Sequence, residues 1–257
     1  MKVELAPPPT GRAYTTRRNE VLLVLGVSLG QSAVYALVSI TAKLTASRPL
    51  SQQTATLNAS QSPRPYLDLT YQLLGIFFAL VPVLLAIHLL NRDRDARGTL
   101  GLDARRPGFD LAWGAALALV IGLPGIGLYV GARELGVNAT VVPAALPELW
   151  WAVPVLILAA AQNAILEEVV VVGYLMTRLE ELGWRVRAII ATSALLRGSY
   201  HLYQGFGGFV GNAVMGVIFA FFYLRTKRVL PLVIAHTLLD VVAFIGYTLV
   251  RDHVSWL

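Results

Sequence analysis

Long apolar runs separated by short polar loops organise this chain. Runs long enough to cross a bilayer, which takes about 20 residues, fall near 21–42, 67–90, 111–131, 150–176, 188–204, 208–224 and 229–250. The pattern predicts an all-α polytopic transmembrane bundle of about seven spans, six to eight being compatible with the run ends. A polar segment, 1–20, precedes the first run and is expected to be flexible. Residues 21–250 then form a single membrane domain, and 251–257 a short tail. The 46–66 stretch is rich in Ser, Thr, Gln, Asn and Pro, and is expected to be an irregular loop between the first two spans.

Composition supports the same class. With 56% hydrophobic and only 14% charged residues, the chain has too little polar surface for a soluble domain of its length. The absence of cysteine excludes disulfides and thiolate chemistry. The net charge of +6 raises nucleic acid as a partner, but the distribution of the charge removes it. Fifteen of the Lys and Arg residues lie in the amino-terminal segment and in 91–109, 177–187 and 225–228. The alternate loops and the carboxy-terminal tail hold five. This alternation is the positive-inside signature of a multi-pass protein, with the amino terminus cytoplasmic. The cell membrane, here a bacterial plasma membrane, is the expected location. The bilayer is the expected surrounding, and the pattern says nothing of oligomeric state.

Six ionisable residues interrupt three of the last four apolar runs: Glu167 and Glu168, Arg197 and His201, His236 and Asp240. A charged side chain at a helix centre costs roughly 2.5–3.5 kcal/mol on insertion scales, so these groups are expected to meet one another in a buried polar site. Glu167 and Glu168 are adjacent, so their side chains should diverge by about 100° and face different partners. His236 and Asp240 are four residues apart and share a helix face, where the carboxylate can orient the imidazole. Arg197 and His201 have the same spacing, which puts a counter-charge on the same interior face. A carboxylate base with donors to a developing oxyanion suffices for amide hydrolysis. Buried Glu, His and Asp can equally relay protons in a transporter. Two His and two Glu are also permissible ligands for a divalent metal such as zinc, although the chain has no His-Glu-x-x-His spacing.

The order and spacing of these residues resemble the CPBP family. The resemblance rests on Glu167-Glu168 followed by Gly173-Tyr174-Leu175, on His201 and on His236-x-x-x-Asp240, and it covers about 160–245. Members of that family include type II CAAX prenyl endopeptidases and bacteriocin-processing and immunity (Abi) proteins. The resemblance implies a helical intramembrane endopeptidase that acts on a membrane-embedded or lipidated peptide. In such a protein Glu167 would activate water with help from His201. His236 and Asp240 would stabilise the oxyanion or position the water, and Glu168 would be a supporting acid. A metal, if one is present, would be held by Glu167, His201 and His236.

Two positions depart from the family pattern. Its first motif usually carries Arg where this chain has Val172, and its second usually has Phe where this chain has Arg197. One expectation is that Arg197 replaces the missing counter-charge to Glu168 from the facing helix. The other is that both changes disable the site, leaving a non-proteolytic protein that serves immunity, regulation or scaffolding.

Overall fold

The computed structural model describes residues 9–146 and 149–250, with side chains described as far as 247. Residues 1–8 of the expected flexible segment and the 251–257 tail lie outside the described residues. The chain is a helical bundle. In order, the elements are α1 (Gly11–Gly26), α2 (Leu29–Leu44), β1 (Thr54–Ala59), α3 (Pro65–Ala79), α4 (Val81–Asn91), α5 (Ala96–Leu100) and α6 (Pro107–Glu134). They continue with β2 (Thr140–Ala145), α7 (Ala152–Glu167), α8 (Leu175–Glu181), α9 (Val186–Tyr200), α10 (Phe206–Thr226) and α11 (Leu230–Val250).

Among the described residues, five helices are long and apolar enough to cross a membrane: Pro65–Asn91, Pro107–Glu134, Ala152–Glu181, Phe206–Thr226 and Leu230–Tyr247. The bent pair α1 and α2, inclined at 52°, makes a sixth if it counts as one span. The fifth expected span, 188–204, is the 15-residue helix α9. At about 1.5 Å per residue it rises about 22 Å, short of the roughly 30 Å hydrocarbon layer. It still joins both ends of the bundle, because a 3₁₀ turn, Leu202–Gln204, prolongs it.

The amino-terminal helix starts at Gly11, ten residues before the expected first span. The polar turns of α1 are held by ion pairs to the end of α4 and to α8: Arg17 with Asp93 at 3.0 Å and with Glu181 at 3.3 Å, and Glu20 with Arg92 at 3.0 Å. Charge that looked like a solvated tail is therefore a docking face.

Contacts among the loops sort the chain into two ends. Arg94 meets Glu181 at 2.6 Å, Lys227 meets Glu180 at 3.3 Å, and the Val229 amide donates to Leu100. Buried Arg228 holds Asp110 through two bonds of 2.7 Å, and Asp103 through its carboxylate at 3.0 Å and its backbone carbonyl at 2.9 Å. All four basic segments of the sequence thus gather at one end. At the other end β1 and β2 form a two-stranded parallel sheet, with Thr54 opposite Thr140 and Ala59 opposite Ala145. Asn138 bridges to Gly205, and the Ala139 amide donates to Gln204. The expected irregular loop 46–66 therefore contains a strand. Its partner lies some 80 residues away across α3 to α6, the kind of crossover a parallel pair requires.

The Glu-bearing helix is central. Two thirds of the most apolar window of Ala152–Glu181 is buried by other helices, against a third or less in the other four. Between α7 and α8 the helix widens into a π-type segment, Glu168–Tyr174, all of it buried. Four consecutive β-branched valines, Val169 to Val172, crowd the preceding turn of a regular α-helix, and a wider turn relieves that crowding.

Candidate active site

The π segment decides where the two acids point. Glu167 closes α7 and Glu168 opens the wider turn, and both carboxylates reach one guanidinium, while the expected divergence holds for their other partners, Tyr200 for Glu167 and His236 for Glu168. Arg197 Nη2 donates to both oxygens of Glu168 at 2.7 Å, and Nη1 donates to Glu167 Oε2 at 3.3 Å. Arg197 and Glu168 are fully buried, and Glu167 nearly so. Arg197 therefore stands opposite Glu168, as a counter-charge to the acid left without one by Val172.

Close helix approach makes room for this group. A Cβ at Gly216 of α10 would lie 2.9 Å from Ala194 Cα and 3.2 Å from Arg197 Cδ. One at Gly198 of α9 would lie 2.8 Å from the Phe209 carbonyl oxygen. The Phe219 ring covers the guanidinium, with its centroid 5.4 Å away.

His236, on α11, presents Nδ1 to Glu168 Oε1 at 2.7 Å. Because a carboxylate can only accept, Nδ1 carries the proton. Glu168 therefore orients this imidazole, in place of the expected Asp240. Asp240 Oδ1 stands 3.7 Å from Nε2, beyond hydrogen-bond length, and is within ion-pair range only. His201 follows the last residue of α9. Its Nδ1 meets Gln204 Nε2 at 3.3 Å. Its Nε2, buried and without a hydrogen-bond partner, faces Glu167 Oε2 across 3.9 Å.

The structure thus brings all six candidates together. It also adds three residues that the sequence reading missed. Tyr200 Oη donates to Glu167 Oε2 at 2.8 Å. Gln204 braces His201, and Asn163 lies beside the Asp240 carboxylate. Helical spacing carried a signal for two of them. Tyr200 is three residues after Arg197, and Asn163 is four before Glu167.

Glu167, Glu168 and His236 each offer a ligand atom, all within 4.8 Å of one another. They do not fit a resident metal. Zinc needs bonds of about 2.0–2.2 Å to lone pairs left free. Here Glu168 Oε1 and His236 Nδ1 are spent on each other, and the Arg197 guanidinium already covers both Glu168 oxygens. In the expected set of Glu167, His201 and His236 the bond from His236 Nδ1 to Glu168 leaves Nε2 outward, and His201 Nε2 and Glu167 Oε1 make no hydrogen bond among the described residues, so these are the atoms that would hold a divalent metal.

Residues 149–242 match the family model described as type II CAAX prenyl endopeptidase Rce1-like. No curated protein and no solved structure matches the chain. The matched segment covers less than half of the chain but contains every one of the six candidates. The chain is a multi-pass membrane protein whose site-bearing segment is similar to the Rce1-like type II CAAX prenyl endopeptidases.

Proposed function

We propose that the protein is an intramembrane endopeptidase that cleaves a membrane-embedded or lipidated peptide with a water activated by Glu167. The observation that carries this reading is the state of Glu167. Its hydrogen bonds converge on Oε2, while the side chain keeps 10% of its surface open and His201 Nε2 stands unpaired nearby. In the reaction Glu167 takes a proton from water, and the resulting hydroxide adds to the scissile carbonyl. Donors around the site, His201 Nε2 foremost, stabilise the negative oxygen of the tetrahedral adduct. The C–N bond then breaks as Glu167 returns the proton to the leaving amine. Arg197 and Glu168 stay paired throughout and keep His236 in one orientation.

An apolar cavity of about 770 Å³ supports a lipid-bearing substrate. It lies between α6, α10 and α11 and is lined by Gly125, Leu128, Met215, Ile218 and Leu239, with Gln204 in its polar wall. Gln204 touches His201 and Leu239 precedes Asp240, so the cavity adjoins the carboxylates. The same reading puts the protein in a bacterial plasma membrane with the basic end facing the cytoplasm, which the short basic loops support.

The test is cleavage of a quenched fluorescent peptide bearing a prenylated cysteine near its carboxy terminus, with purified protein in detergent. Wild type is expected to cleave it, and Glu167→Gln to lose about 10³-fold or more. Equal rates in the two would refute the reading.

One observation favours a second reading: both carboxylates are engaged by Arg197, as in a locked, non-proteolytic member serving immunity, regulation or scaffolding. In that case wild type is inactive and Val172→Arg combined with Arg197→Phe restores a large activity.

A further inference from the structure

Two side chains of α9 and that of His201, which caps it, converge on one oxygen. Arg197, Tyr200 and His201 occupy positions i, i+3 and i+4, so they share a helix face. Their polar atoms stand 3.3, 2.8 and 3.9 Å from Glu167 Oε2. The Tyr200 contact is the shortest of the three and the one with the fewest competing ties. Arg197 makes its two closest bonds with Glu168, and His201 lies beyond hydrogen-bond length. Tyr200 is itself buried, at 5% exposure, and its ring packs against that of His201 with centroids 4.9 Å apart. A phenol next to a carboxylate can only donate to it. The hydroxyl therefore ties one oxygen of the acid to α9 without adding charge.

We propose that Tyr200 is the positioning residue of this centre. By holding Oε2, its hydroxyl fixes the Glu167 carboxylate so that Oε1 faces the substrate and serves as the proton acceptor. Without it, the remaining bond to Glu167 comes from Arg197, which draws the carboxylate toward Glu168 and away from His201. Base and substrate then lose alignment while the binding surface is unchanged. A misplacement of about 1 Å is enough to lower a rate about 100-fold. The proposal rests on the reading of Glu167 as the base.

Two measurements test it, both on full-length protein. With the quenched prenylated peptide, Tyr200→Phe is expected to lower kcat about 10- to 100-fold and leave KM within about twofold. 3-Fluorotyrosine at position 200, which keeps the hydroxyl, should restore kcat to within about threefold of wild type. A Tyr200→Phe protein with unchanged kcat would overturn the proposal, as would one whose loss lies wholly in KM or in folded yield. Separately, the ¹⁹F resonance of 3-fluorotyrosine 200 should move when Glu167→Gln replaces the acceptor, and an unmoved resonance would refute the contact. A wild-type protein that cleaves nothing, with the ¹⁹F response present, removes the base assignment and with it the positioning role, but leaves the contact standing.

Discussion

Arg197 has no exposed surface, and neither does the Glu168 carboxylate that it holds through two bonds of 2.7 Å. Removing one partner of a buried pair leaves the other charge uncompensated, at about 3–5 kcal/mol. Arg197→Met is therefore expected to destabilise the protein by about that amount, read as a fall in unfolding free energy on denaturant titration in detergent. The same change at Arg97, on the solvated α5, should have little effect. The Arg197–Glu168 pairing was legible in the sequence, because the chain lacks a basic residue at Val172 and has an extra one at 197. The engagement of both acids by one guanidinium was not legible, since regular helical geometry separates neighbours by about 100°. Nor was the partner of His236. Four-residue spacing favoured Asp240, whereas packing of α11 against α7, at whose end Glu168 lies, gave that role to Glu168.

Among the elements, α9 and α10 set the position of the cation. Gly216 lets α9 approach so closely that a Cβ there would meet Ala194 Cα at 2.9 Å, a backbone contact that only a helix shift can relieve. Gly216→Ala is expected to cost about 1–3 kcal/mol and to lower cleavage by displacing Arg197. Gly125→Ala, where a Cβ meets nothing within 4 Å, should keep wild-type stability in the same titration. Long apolar runs marked the five membrane-crossing helices well, because hydropathy reports directly on what lipid tolerates. Run length misjudged α9, since its apolar stretch includes the 3₁₀ turn after His201 and counts residues that add no α-helical rise. The strands β1 and β2 escaped for another reason. Each is six residues long, and what makes them strands is a pairing between segments far apart in sequence.

At the scale of the whole molecule, a carboxylate clamp ties the basic end together. The Arg105 amide, together with Arg228, holds the Asp103 carboxyl below the usual range despite burial acting the other way. For Asp93, burial pushes upward, but the hydrogen bond from Arg178 and the charges of Arg17, Arg178 and Arg94 outweigh it, and its carboxyl too lies low. A carboxyl with a lowered folded pKa stabilises above its unfolded value, near 3.9, and that contribution is lost as pH falls through the folded value. Thermal stability in detergent should therefore hold from neutral pH to about 5 and decline below about 4. Asp93→Asn and Asp103→Asn should flatten that decline, and an unaltered acid limb in both would count against the clamp. The same ion pairs explain why residues 11–20 are helical, a contact between distant segments that local polarity concealed.

The proposed peptidase function requires direct attack by a water that Glu167 activates. Single-turnover cleavage of the prenylated peptide in H₂¹⁸O, read by mass spectrometry, tests that step. The expected product carries one ¹⁸O in its new carboxylate with wild type, and Glu167→Gln forms almost none. A first-turnover product bearing only ¹⁶O in that carboxylate, or equal product from Glu167→Gln, would contradict it.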